Sequence, residues 1–132
     1  NFLYTLHYVH HELKWPLNYY KHVITPLPFS EIEERPDKDV LMAIRQSLAH
    51  LEINGPNTII ATLPDHRMIT CCDSKKLRPV VVGRDDTMVA ISSEVCGLNE
   101  IMPNRDADQD IYPNEREIVV IDNDLEVQRW KQ

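Results

Sequence analysis

NGPNTIIATLPDHRMITCCDSKKLRPVVVGRDDTMVAISSE, residues 54–94, is the stretch whose reading decides the fold. Asn54-Gly55-Pro56 and Pro64-Asp65-His66 are turn chemistry, and the segments between the turns are rich in β-branched residues, so the stretch reads as four short strands over 58–63, 68–72, 79–84 and 87–92. Gly83 to Asp86 reads as the tip of a hairpin, and the four strands as a meander of antiparallel neighbours. Val80, Val81 and Val82 are continuous rather than alternating, the pattern of a strand covered on both faces, between two sheets or between a sheet and a helix. Ser92-Ser93-Glu94 then opens a helix.

Upstream of this stretch the pattern is helical. Phe2, Leu3, Leu6, Val9 and Leu13 form a one-sided stripe over residues 1–15, with no capping residue ahead of it, as in a helix cut near its start. The chain also begins with Asn rather than Met, which is the expectation for a piece of a longer protein. Pro16 ends or restarts that helix, another turn or two runs over 17–24, and Pro26 and Pro28 stop it. Ser30-Glu31-Ile32-Glu33 reads as a capping box. Asp37 caps a helix over 37–51, whose stripe of Val40, Leu41, Ile44, Leu48 and Leu51 is expected to pack on a sheet before Asn54-Gly55-Pro56 stops it. Downstream, 94–101 reads as a short helix, 103–110 as an acidic solvated loop, and 117–122 with 125–130 as a final hairpin turning at Asn123-Asp124. The expectation is a single α+β domain over 1–132, helical over 1–53, a β-meander over 54–94, then a helix and a hairpin over 95–132.

Composition excludes several classes of function. The net charge is −7, and 14 Lys plus Arg are scattered among 21 acidic residues, so there is no basic footprint for nucleic acid. No apolar run approaches the roughly 18 residues of a spanning helix, and no basic segment followed by an apolar one marks a secretory leader, which leaves a cytoplasmic protein as the expectation. Three cysteines, two of them adjacent, make neither a disulfide framework nor a CxxC pattern, as suits a reducing compartment. With three glycines in all, the chain has no Gly-rich phosphate loop and no GxSxG element, and no cofactor is expected.

Three local features invite a chemical reading. His7 and His11 are four apart and share a helix face, the spacing from which two imidazoles grip a metal. The HExxH order is absent, however, and a third ligand would have to come from elsewhere, so His7, His10, His11 and Glu12 read as polar residues of a helix face and no metal is expected. Cys71 and Cys72 must point to opposite faces of their strand, so at most one is expected in the core, and no His stands beside either in sequence to hold a thiolate. Asp106, Asp108 and Asp110 alternate as calcium ligands do, but the loop lacks the glycine and the distal Glu of an EF-hand.

One arrangement is more specific. Asp73-Ser74-Lys75-Lys76-Leu77-Arg78-Pro79, followed one hairpin later by Ser92-Ser93-Glu94, resembles the second half of a class II glutamine amidotransferase domain, where an Asp-x-x-x-Leu-Arg-Pro loop, a hairpin and an (Ala/Ser)-Ser-Glu helix start come in this order. Trp15-Pro16-Leu17, Pro26-Leu27-Pro28-Phe29, the helix over 37–51 and Asn54-Gly55-Pro56 extend the likeness to nearly the whole chain. The chain is most similar to the glutaminase domain of archaeal-type glutamate synthase large-subunit proteins. It departs from them at Asn57 after the Gly-Pro, and at Asn114 and Arg116 where a glycine is usual.

The resemblance implies a four-layer αββα N-terminal-nucleophile fold, with two stacked antiparallel sheets and helices on the outside. It also implies a glutaminase mechanism: the thiolate of an N-terminal Cys attacks the glutamine amide, an oxyanion is stabilised, ammonia leaves, and water releases glutamate. That Cys and the family's glutamine-binding segments have no counterpart in this sequence, and Asn1 aligns just after them. The chain is therefore expected to be the C-terminal scaffold half of such a domain, with no catalytic residue of its own. Asp73, Arg78, Ser93 and Glu94 would fix the loop and helix junctions beneath the site. Its implied partners are the missing N-terminal half, glutamine in the intact domain, and a synthase subunit or domain that accepts the ammonia, with no nucleic acid and no membrane. The alternative expectation is a non-catalytic structural or interaction domain with a relic of the same fold.

Overall fold

The structure, a computed structural model, describes residues 7–47 and 55–130. It divides into two compact units, Asn1–Gly55 and Pro56–Gln132. The chain is of mixed α+β class, with antiparallel sheets and a few helices. Among the described residues no helix is long and apolar enough to cross a membrane.

The first unit is helical. Of the helix expected over 1–15, residues 1–6 lie outside the described residues, and with them Phe2, Leu3 and Leu6 of its stripe. The described part is a π turn, Tyr8–Glu12, and it ends before Trp15 because Lys14 takes a left-handed φ of 56°. Leu17–Tyr19 is a 3₁₀ turn that runs into α1, Tyr20–Ile24. Helix α2 spans Phe29–Ile32 and corrects the expected capping box: Pro28 is its N-cap, no side chain caps it, and Ser30 lies inside the first turn. The Pro28 carbonyl already accepts from the Glu31 and Ile32 amides, so the helix starts one residue before the serine.

Helix α3 spans Lys38–Ser47; Leu48, Leu51 and Asn54 of the expected helix and stop signal lie outside the described residues. At its head the Asp37 carboxylate accepts from Arg35 at 3.0 Å and from the Tyr19 hydroxyl at 3.3 Å. The stripe on α3 finds its partners among the preceding turns. Ile44 packs with Val23, Trp15 and Tyr19, and Leu41 with Leu27 and Ile32.

The second unit carries the sheets. Strands β1 (Thr58–Thr62), β2 (Met68–Cys72), β5 (Ile118–Ile121) and β6 (Val127–Trp130) form one antiparallel sheet in the order β1-β2-β5-β6, while β3 (Val81–Arg84) and β4 (Val89–Ser92) form a separate two-stranded sheet. The expected four-strand meander is thus corrected at its centre. β2 pairs with β1 and β5, and the hairpin β3–β4 leaves the plane of that sheet. The physical reason lies in β5, whose Ile118-Val119-Val120-Ile121 is wholly apolar and wholly buried and therefore takes an interior place. The final hairpin is as expected, with β5 and β6 paired antiparallel.

Two apolar layers meet at β3. Val82 packs with Val119 and Ile121 of the four-stranded sheet, joined by Val89 and Ile91 of β4, and on the opposite face Val81 packs with Leu98 of α4, Val95–Ile101, and with Met102, which caps that helix. The Val80–Val82 run therefore reads as sequence patterning requires, with a sheet on one side and a helix on the other. Cys71 and Cys72 correct their expectation, for both are fully buried. They do point to opposite faces, but Ile69, Ile118 and Val120 are buried on one face and Thr70, Val119 and Ile121 on the other, so neither face of β2 is solvated.

Gly83 is the second correction in this region. The hairpin tip lies beyond it, where the Asp85 carboxylate accepts from the amides of Thr87 and Met88. Gly83 itself is a strand residue. A Cβ there would come 2.8 Å from Leu98 Cδ1 and 3.1 Å from both Arg105 Nε and Asp110 Oδ1. Those two side chains form a bidentate ion pair, both 2% exposed, that closes the loop expected to be merely solvated. Ile111, just past it, bridges Val82 through paired backbone hydrogen bonds. Gly83→Ala is expected to destabilise the protein by about 1–3 kcal/mol, because α4 and the ion pair must both give way. Urea denaturation of the two proteins, comparing midpoints at equal slope, measures it.

Candidate functional site

The loop that follows β2 is built around Asp73. This residue is buried, and its carboxylate accepts from three backbone amides, those of Asn57 at 2.7 Å, Lys75 at 2.8 Å and Leu77 at 3.4 Å. Its amide donates to the Asn57 carbonyl, and its carbonyl accepts from Lys76 and Arg116. The lead into β1, the 73–79 loop and the lead into β5 are thus tied to one residue. Lys76 and Arg116 both sit at positive φ, 46° and 55°, strained positions for side-chain-bearing residues that these contacts hold in place. Burial opposes ionisation of the Asp73 carboxyl, and the amides of Asn57, Lys75, Leu77 and Lys76 together overcome it, so the group titrates below its ordinary value.

Asn57 connects this anchor to an open groove of about 510 Å³. Pro56, Asn57, Thr58 and Ile60 make one wall, Arg78, Pro79 and Val80 the other, with Ser93 and Glu94 beside them. The two walls are joined where the Thr58 hydroxyl donates to the Arg78 carbonyl at 3.1 Å. A second groove of about 460 Å³ shares Pro79, Val80, Ser93 and Glu94 and adds Leu77 and Tyr112. The two grooves therefore share part of their lining.

Of the residues singled out in the sequence, Arg78, Ser93 and Glu94 come together on the first groove, and Asp73 is not in its lining but bonds the amide of Asn57, which is. Arg78 is exposed, and the salt bridges among the described residues include none between it and Asp73. The partner of the buried carboxylate is the backbone. At the start of α4, Ser92 makes the junction: its hydroxyl donates to the Glu94 carbonyl at 2.8 Å and accepts from the Glu94 amide at 3.3 Å. It lies where a Cβ on Gly97 would come within 2.6 Å of its oxygen. Ser93 and Glu94 are exposed, and the Glu94 carboxylate accepts from the Cys96 thiol at 3.5 Å.

Sequence reasoning missed a further buried charge. Glu117 has no exposed surface, accepts from the Asn114 amide at 2.7 Å, and takes a two-point ion pair from Arg129 of the neighbouring strand β6. The signal for it was faint: a Glu directly before an all-apolar strand, with an Arg on the strand paired to it. Neither groove is lined by a cysteine or a histidine. Burial pushes the Cys72 thiol up, so it is held as a neutral, unreactive group. Among the described residues no group of three or more His, Cys, Asp or Glu is gathered as a metal site. The arrangement offers a shaped, partly apolar groove bearing a cation, a hydroxyl and a carboxylate, without an activated nucleophile.

Comparison of the chain with protein-family models, with curated proteins and with solved structures finds no match.

Asp73→Ala leaves several amides unpaired and is expected to cost about 2–4 kcal/mol, whereas Arg78→Ala is expected to change stability by no more than about 0.5 kcal/mol. Because the folded carboxyl titrates below the unfolded one, its stabilisation is complete above about pH 4 and is lost as the pH falls through the lower, folded value. Urea titrations of the parent and of Asp73→Asn at a series of pH values are thus expected to differ most near neutrality and to converge in acid.

Proposed function

We propose that this chain is the C-terminal scaffold half of a glutaminase domain of the class II glutamine amidotransferase type, one that releases ammonia from glutamine for a glutamate-synthase-like enzyme in the cytoplasm. The observation that carries the reading is the groove at which Arg78-Pro79 meets Ser93-Glu94, tied through Asn57 to the buried Asp73. Two motifs separated by a whole hairpin in sequence are neighbours in space, as a shared role requires. The layering supports the same reading. A helix, a two-stranded antiparallel sheet and a four-stranded antiparallel sheet stack in that order, as in part of a four-layer αββα fold.

On this reading the nucleophile, its amine base and the oxyanion donors belong to the other half of the domain. The residues of this chain give that half a rigid floor. Asp73 fixes the loop, the Ser92 hydroxyl fixes the turn into α4, and Arg78, Ser93 and Glu94 present polar groups along the groove.

A second reading, a non-catalytic structural or interaction domain, is favoured by one observation. Ile60, Leu77 and Tyr112 are 46%, 60% and 51% exposed along the two grooves, an apolar set suited to covering by another protein. Glutamate release from glutamine separates the two. The chain alone is expected to give no turnover above background. The same chain joined to a segment that supplies an N-terminal Cys and the glutamine-binding residues from its own gene is expected to turn over steadily, with the activity lost on mutating that Cys. Absence of turnover in the joined protein would favour the interaction domain. Turnover by the chain alone, abolished by replacing Cys71, Cys72 or Cys96, would overturn the scaffold assignment.

A further inference from the structure

We propose that His7 and His11 form a surface site for a divalent transition metal that prefers right-angled coordination, copper(II) or nickel(II), independently of the glutaminase reading. His7 stands immediately before the π turn Tyr8–Glu12 and His11 lies within it, and their rings are 4.6 Å apart, centroid to centroid, tilted by 32°. Two imidazoles bound to one metal at about 2.0–2.1 Å and at a right angle hold their centroids about 4.5 Å apart, whereas a tetrahedral angle spreads them to about 5.2 Å. The observed separation fits the right angle. Square-planar and tetragonal copper(II) and nickel(II) sites have that cis arrangement, and tetrahedral zinc does not.

Among the described residues the pair stands as two protein ligands. The His10 ring meets His11 edge-on at 5.1 Å and buried Tyr20 edge-on at 5.8 Å, so it packs between the pair and the helical core. His7 is exposed and His11 partly so, which leaves the remaining coordination positions to water. This is consistent with no larger ligating group being gathered among the described residues. A π turn in place of α-helix is a local irregularity of the kind that recurs at functional sites.

The test is a titration of the full chain with copper(II) and with nickel(II), in a Cys96→Ser background that removes the exposed thiol. One equivalent is expected to bind, copper(II) more tightly than nickel(II), with magnesium not competing. His7→Ala and His11→Ala are each expected to weaken copper(II) binding by at least about tenfold, and His66→Ala, on the turn between β1 and β2, to leave it unchanged. Paramagnetic broadening by copper(II) in the parent protein, expected first on the imidazole protons of His7 and His11, gives a readout that needs no variant to fold. Affinity in either alanine variant equal to that of the parent, or broadening that begins at another histidine, would overturn the proposal.

Discussion

A buried carboxylate whose partners are all backbone amides governs the second unit. An ionised group taken out of water has to recover its hydration from hydrogen bonds, and Asp73 recovers it from Asn57, Lys75 and Leu77. Those amides belong to the lead into β1 and to the loop leaving β2, while the Asp73 carbonyl takes Arg116 ahead of β5. The demand of one charge thus sets the spacing of three segments, and with it the mouth of the groove. Two left-handed backbone positions, Lys76 and Arg116, are held nearby, each by an amide that donates to the Asp73 carbonyl.

The stacking above that anchor follows from side-chain size. Valines at 81 and 82 fill opposite sides of β3, and one residue further along the strand the filling stops: Gly83 has no side chain, and the Arg105–Asp110 pair occupies the space. A buried ion pair gives little net stability, since desolvation offsets attraction, but it has stringent geometry. Arg105 also donates to Asn99 and to the Met102 carbonyl, so the pair fixes how α4 ends and where Ile111 joins β3. Ser92 and Gly97 repeat the device at the other end of the helix, a polar oxygen set against a missing Cβ.

The strands were legible because their signals are local. Turn residues and β-branched runs mark β1, β2 and the last hairpin within a residue or two, and the Val80–Val82 run foretold a strand covered on both sides. What pairs with what is a long-range property. Ile118-Val119-Val120-Ile121 carries the same unbroken apolar pattern as Val80–Val82, and weighing it equally would have put β5 in the interior of a sheet. At the groove, a whole hairpin separates Arg78 from Ser93 and Glu94, and no local pattern marks them as neighbours. The residues that do the fixing, Ser92 with Gly97 and Glu117 with Arg129, left little trace in sequence because each acts through a partner that periodicity does not mark.

The insertion of a complete hairpin and helix between β2 and β5 has a kinetic consequence. These two central strands touch only after residues 73–117 have been looped back, so the four-stranded sheet cannot nucleate from adjacent strands alone. The β1–β2, β3–β4 and β5–β6 hairpins and α4 have contacts short in sequence, whereas closure of β2 on β5 carries the entropy of the long loop and is expected to come later. Until then the apolar edges of β2 and β5 are bare, and a newly made chain passes through an interval in which a neighbouring copy offers them a competing partner.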